Sequence, residues 1–385
     1  MGSAISSCIQ SLPPLGDFLR PTLDAYLVSL NIFQYFPLVS LIQWCTAFHP
    51  AGKTSLKNSY LNFPGRLGWF IMEIVGPVNL LYILWTLPPS LNIASLPLPN
   101  KLAASLYVLH YINRAIVSPF FAAPSMSPIH AFVVFSAVLF NWFNSTCLAG
   151  WIVGYQIPIV LPAYTSTSEP AAMPSSAPSS SSSSSLLIPS LGLCLFLLGM
   201  IGNIYAERTL FRLRREGAET RQTKKSSSSK STTTSTTSSS DSNSNSNNSN
   251  KFSKVYVIPP PTGLFRSILY PHYVCEWLEW LGFALIGTAV LPIPSSSSFT
   301  SSSALGNAAA ASSSSPIVLA PWIVPFALGA ETMGLRLPLP AVLFFVNAVA
   351  NMLPHARWGR KWYVERFGAQ KIAGRGAVVP FCECL

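Results

Sequence analysis

Residues 106–121 read LYVLHYINRAIVSPFF, and the reading of this stretch decides the fold. Most of it is apolar, yet His110, Tyr111, Asn113 and Arg114 stand in its middle. The rest of the chain identifies the solvent. Of 385 residues, 50% are hydrophobic and only 10% are charged, against about 25% charged in a soluble domain. Lipid accounts for that deficit, and a membrane helix needs roughly 20 apolar residues. Seven segments read as such helices: 22–48, 67–87, 101–121, 130–156, 186–206, 273–292 and 338–353. The run 316–330 holds three prolines and reads as re-entrant or as part of a long connection. The expected fold is therefore all-α, a polytopic membrane protein of about seven transmembrane helices. It forms one domain over residues 22–376. The first twenty residues lack the basic start and apolar core of a cleaved leader.

Three serine-rich tracts, 164–185, 225–250 and 296–315, interrupt this pattern and cannot bury a core, so disorder is expected there. The seven cysteines are scattered without zinc-site spacing, and neither a metal site nor a disulfide framework is expected.

Charge placement sets the orientation. Cytosolic loops collect lysine and arginine. Of the 24 basic residues, Lys53, Lys57 and Arg66 lie between the first two spans, eleven lie from Arg208 to Arg266, and six from Arg357 to Arg375. With seven spans all of these share one side, which makes the C-terminus cytosolic. The +11 charge is read as topology and as attraction to anionic headgroups, with membrane lipids as partners and no nucleic acid.

Ionisable groups inside the spans then carry the chemistry. An arginine or aspartate at the bilayer centre costs roughly 2.5–3.5 kcal/mol, so such groups face a bundle interior or wet cavity. Glu73 is the lone acid of its span. Residues three apart share a helix face, which aligns His110 with Asn113 and Tyr111 with Arg114. Glu276 and Glu279 share a face at the start of the sixth span. The plain alternative for each is a structural pair, such as Glu73 locking Arg114 across two helices. Asn203, Glu207 and Arg208 close the fifth span, Arg212, Arg214 and Arg215 follow it, and His355, Arg357, Arg360, Lys361 and Tyr363 follow the seventh. Arginines at these ends suit an anionic cytosolic ligand that dips into the membrane. No GxGxxG or P-loop follows a plausible strand, and neither HExxH nor GxSxG occurs.

These residues fall in blocks that resemble the steroid 5α-reductase family: WFIMEIVGP (69–77), LHYINRAIVSPF (109–120), GMIGNIYAERTLFRLRREG (199–217), IPPPTGLFRSILYPHYVCEWLEWLGFAL (258–285) and, more weakly, RKWYVERFG (360–368). The resemblance implies an NADPH-dependent oxidoreductase whose seven helices enclose a cofactor and lipid cavity, and which reduces a carbon–carbon double bond conjugated to a carbonyl. A lipid-soluble enone, a 3-oxo-4-ene steroid or sterol-like molecule, is the implied substrate, and the endoplasmic reticulum membrane the implied location. It implies that Glu73 and Tyr111 hydrogen-bond the enone carbonyl. It implies that Arg114, Asn203, Glu207, Arg214, Tyr256, His272, Glu276, Arg360 and Tyr363 hold the cofactor. The chain departs from the family at Met72, where steroid-active members commonly have Gln. It departs again at AAPSMSP (122–128), where the family carries an Asn-Arg-x-Arg-like element, and His355 and Arg360 stand exchanged. Two alternatives remain: a reductase of polyprenol or trans-2-enoyl-CoA, and a non-catalytic lipid-binding membrane protein.

Overall fold

The computed structural model describes residues 12–46, 59–160, 184–229, 252, 255–292 and 316–382. It is a helical bundle, with only four two-residue strands among the described residues. The third serine tract lies outside these residues, as do the first tract up to residue 183 and the second from residue 230. The helix that precedes the second tract continues to Ser229.

The expected span 22–48 is two helices, α1 (Leu23–Phe33) and α2 (Val39–Cys45), joined by a 3-10 turn at Phe36–Leu38. Pro37 explains the break, because it has no N–H for an α-helical bond. Thr22 caps α1 by accepting from the Ala25 amide. Next come α3 (Gly65–Ser90) and α4 (Leu98–Tyr111), which runs into a π-helical segment over Ile112–Ala122. They are followed by α5 (Ala131–Val153), which Gly154 ends in a left-handed conformation, and by α6 (Ser184–Ser229). The remaining helices are α7 (Pro271–Gly287), α8 (Val324–Thr332) and α9 (Leu339–Phe367).

Among the described residues, five helical stretches are long and apolar enough to cross a membrane: Leu23–Cys45, Gly65–Ser90, Ala131–Val153, Leu186–Thr223 and Leu339–Phe367. The other two expected spans are also helical. One is α4 with its π extension, whose polar centre lowers its hydropathy; the other is α7, which has 17 residues. The proline-rich run forms the short helix α8, too short to cross. Large apolar side chains point outward, among them Leu81, Trp85, Phe132, Phe135, Leu198 and Ile201. Such a surface would drive association in water and is at rest in lipid.

Two features align the helices that matter most. Strand β1 (Asn62–Phe63) pairs antiparallel with β2 (Ile129–His130), and α3 and α5 each begin within two residues of their strand. The two helices then stay bonded along their length: Asn79 Nδ2 donates to Ser145 Oγ and Thr146 Oγ1, both at 2.9 Å. The second feature is a glycine seam between α6 and α7. A Cβ on Gly199 would lie 2.5 Å from the Glu279 amide nitrogen, and one on Gly282 would lie 2.4 Å from that of Phe196. The backbones therefore touch, as small residues allow in membrane bundles. This contact brings Asn203 of α6 against Glu276 of α7.

Candidate active site

The polar groups of the opening stretch meet acids from three other helices. Arg114, on the π-helical segment, is half-buried. Its Nε lies 3.2 Å from Glu73 Oε1 on α3, and its Nη1 lies 3.3 Å from Glu276 Oε2 on α7 and 3.9 Å from Glu207 Oε1 on α6. Asn203 Nδ2 donates to the same Glu276 oxygen at 3.4 Å, and Ser118 Oγ donates to Glu207 at 3.1 Å. Trp69 holds the segment from α3: its indole N–H donates to the Arg114 carbonyl at 3.0 Å, and its ring lies under the guanidinium. The expected lock between Glu73 and Arg114 is thus present, as one arm of a four-helix junction.

The π-helical run starts directly after Tyr111, so the three-residue face pairing read from an α-helix meets a wider turn here. Such turns are frequent at functional sites. Arg66 of α3 caps its far end, donating to the carbonyls of Pro119, Phe120 and Ala123 at 2.8 to 3.0 Å.

Tyr111 is buried beside this junction, within electrostatic range of both Glu73 and Arg114. Its hydroxyl donates to Asn141 Oδ1 at 2.8 Å, and Asn141 Nδ2 donates to the Met72 carbonyl at 2.6 Å. On the other side, His110 Nδ1 lies 2.8 Å from Glu279 Oε1, with its ring against Trp280. Glu279 is fully buried, and its second oxygen has no protein partner.

The remaining expected residues form a second group around the C-terminal part of α9. Tyr363 and His272 both contact the ring of Tyr270, and Tyr256 packs edge-on against Trp362. Arg360 Nε donates to the Arg375 carbonyl at 2.9 Å. Arg375 is itself buried, and its hydrogen bonds run to the carbonyls of Ile372, Pro259 and Phe265. Burial draws its guanidinium below the usual arginine range. Arg214 belongs to α6. It donates to the Ser125 and Phe252 carbonyls, while its Nε is buried without a partner. Arg215 donates to the Ala122 carbonyl, so α6 supplies arginines to the loop that has none of its own.

Expected residues Glu73, Tyr111, Arg114, Asn203, Glu207 and Glu276 therefore gather at one junction. Tyr256, His272, Arg360 and Tyr363 gather at the other group. Sequence reading missed Asn141, although a signal was present: Asn141, Asn144 and Ser145 recur at helical spacing inside an apolar run. Arg375 gave no signal of burial.

No family model matches the chain. An uncharacterized protein of Schizosaccharomyces pombe is 28% identical over 373 residues, which is 92% of this chain and 98% of that one. A steroid 5-alpha-reductase of Arabidopsis thaliana is 23% identical over 365 residues, 94% of this chain and 97% of its own length. The 3-oxo-5-alpha-steroid 4-dehydrogenase 1 of Rattus norvegicus is 24% identical over 259 residues, 67% of this chain and 76% of its own.

Proposed function

We propose that this homologue of the steroid 5-alpha-reductases is an NADPH-dependent oxidoreductase that reduces a carbon–carbon double bond conjugated to a carbonyl in a lipid-soluble substrate. The substrate is a 3-oxo-4-ene steroid or a sterol-like enone. The observation that carries this reading is the junction itself. An acid, a phenol, a guanidinium and a carboxamide from four helices converge inside an apolar bundle, where a purely structural role would leave a costly excess of acids.

Bound NADPH supplies the hydride. The cofactor fits the groups left open. Asn203 Oδ1 is buried without a partner and matches the N–H of a carboxamide; Arg214 Nε is a buried cationic donor and matches a phosphate. Arg114, Glu207, Glu276, Tyr256, His272, Arg360 and Tyr363 would hold the remainder. Three carboxylates around one guanidinium favour the positive charge that develops on a hydride donor.

Tyr111, with Glu73 beside it, polarises the enone. As hydride adds to the β-carbon, the double-bond pair moves toward the carbonyl and charge builds on its oxygen. A phenol held in low dielectric strengthens its hydrogen bond to that oxygen as the charge grows, which lowers the barrier. The α-carbon then takes a proton from water, giving the saturated ketone. A free polyprenol has no carbonyl for Tyr111 to act on, which favours the enone. The basic loops support a cytosolic C-terminus, and the similarity to the steroid 5-alpha-reductases supports an endoplasmic reticulum membrane.

The test is purified protein in detergent with NADPH and a 3-oxo-4-ene steroid, with the product followed by mass spectrometry. Reduction is expected, and Tyr111→Phe lowers kcat by roughly 100-fold or more with NADPH affinity unchanged. A variant as fast as the parent overturns the role of Tyr111. Absence of any NADPH-induced thermal shift would turn the reading toward a non-catalytic lipid-binding protein.

A further inference from the structure

His110 and Glu279 are buried and ionisable, and the steps that Tyr111 and the cofactor supply leave them idle. They form one of two rungs between neighbouring helices, Arg114 and Glu276 forming the other about one turn away. The His110 ring is wedged in place. Its centroid lies 4.5 Å from that of Trp280, and Tyr111 meets it edge to face at 5.2 Å. Glu279 is pinned from behind, because the α6–α7 seam sets Gly199 against its backbone amide.

The two ends of the pair face different surroundings. His110 Nδ1 lies 2.8 Å from Glu279 Oε1, while Glu279 Oε2 is sealed in the interior without a partner. His110 is 4% exposed; its Nε2 has no protein partner among the described residues, yet it is not sealed. The open end of the pair is therefore Nε2. One proton lies on the Nδ1–Oε1 axis, and the pair is neutral when Nε2 carries a second. Without that second proton the pair would be a bare negative charge beside a junction that already holds more acids than bases, so it rests with the Nε2–H bond in place. A carboxylate on one ring nitrogen, with the other nitrogen open, presents an imidazole for proton transfer.

We propose that His110 is the catalytic acid that delivers a proton from Nε2 to the α-carbon, with Glu279 as its positioning residue. The proposal rests on the reading of Tyr111 given above and deepens it. Hydride on the β-carbon leaves an enolate whose oxygen Tyr111 holds. The enolate electron pair takes the Nε2 proton: a C–H bond forms at the α-carbon and the N–H bond breaks. The pair is left with one proton on the Nδ1–Oε1 axis and one negative charge, and water restores the proton on Nε2. Successive residues of one helix thus serve the oxygen and the α-carbon of one enone.

His110→Asn tests this, because the new amide still donates to Glu279 where Nδ1 stood but has nothing in place of Nε2. In detergent with NADPH and a 3-oxo-4-ene steroid, kcat is expected to fall roughly 100-fold, with KM and NADPH affinity unchanged. In D2O the parent is expected to place deuterium on one face of the α-carbon. The residual product of His110→Asn is expected to carry it on both faces, because water then protonates the enolate. Parental turnover overturns the proposal. So does a slow variant that still labels one face, which is what a lock between helices would give. Protein labelled with [15N]histidine gives a reading that needs neither substrate nor that variant. The chain has five histidines, and the signals that Glu279→Gln moves belong to His110. Nε2 is expected to carry a proton that exchanges with solvent, and an unprotonated Nε2 overturns the proposal. A parent protein that binds NADPH and leaves the steroid untouched overturns the proposed function instead.

Discussion

The junction around Arg114 and the group around Arg375 handle a buried positive charge in opposite ways. Arg114 meets three carboxylates from three helices. Arg375 meets backbone carbonyls, and nearby Arg366 lies over the rings of Tyr256, Trp362 and Phe367. Ion pairs give the first region cohesion across four helices but leave it with more acids than bases. The second region neutralises little of its charge, which keeps positive potential available to a polyanion. The contrast suits the two ends of a reduced dinucleotide: acids beside the group that becomes positive, arginines beside the phosphates.

Removing Arg114 is the sharpest way to break the comparison. Arg114→Met keeps much of the side-chain volume but leaves Glu73, Glu207 and Glu276 facing one another. Stranding buried charge costs about 3–5 kcal/mol. Unfolding in detergent is expected to show a loss of this order, together with loss of NADPH-dependent protection. Adding Glu276→Gln to Arg114→Met is expected to recover part of the stability, because it removes one of the stranded acids. If the single variant unfolds like the parent, the junction is not what joins the helices.

Much of this junction could be read in the sequence because lipid leaves few explanations for an ionisable group. Glu73, Arg114, Glu207 and Glu276 each stood out against an apolar background, and the mutual approach of Glu73 and Arg114 was anticipated as a structural pair. The helices were legible for the same reason, down to the short proline-rich run that does not cross. What escaped depends on facts that local pattern does not carry. The break at Pro37 and the π-helical turn after Tyr111 change which residues share a face. The α6–α7 seam depends on glycines 192, 199 and 282 meeting across helices distant in sequence. Arg375 was counted among basic residues of a cytosolic tail, and nothing nearby announced the loop of 258–268 that covers it.

Arg375→Met probes the second region at a smaller scale. The substitution leaves the carbonyls of Ile372, Pro259 and Phe265 without their donor, but these are neutral groups, and backbone near a helix end recovers some bonding from water. A loss of about 2 kcal/mol is expected. Limited proteolysis is expected to cut the 258–268 segment faster than in the parent, while the Arg114 junction stays closed. A loss as large as that of Arg114→Met would mean that the two regions are one cooperative unit.

Arg366→Ala is expected to have the smallest effect on stability. The guanidinium is exposed, 5.0 Å from the Tyr256 ring centroid and 5.5 Å from that of Trp362. An exposed cation over a ring contributes about 0.5–1 kcal/mol. The informative quantity is the thermal shift produced by NADPH. Tyr256 is an expected cofactor residue, and Arg366 is the cation that holds its ring face. If the second region serves only to close the helix ends, Arg366→Ala lowers the midpoint slightly and leaves the NADPH shift intact. If it grips the dinucleotide, the shift shrinks by more than the small loss of stability accounts for, and it shrinks further as salt screens the remaining arginines. Arg366→Lys keeps the charge but loses the planar face, so a partial shift there would assign the effect to stacking on Tyr256 as well as to charge.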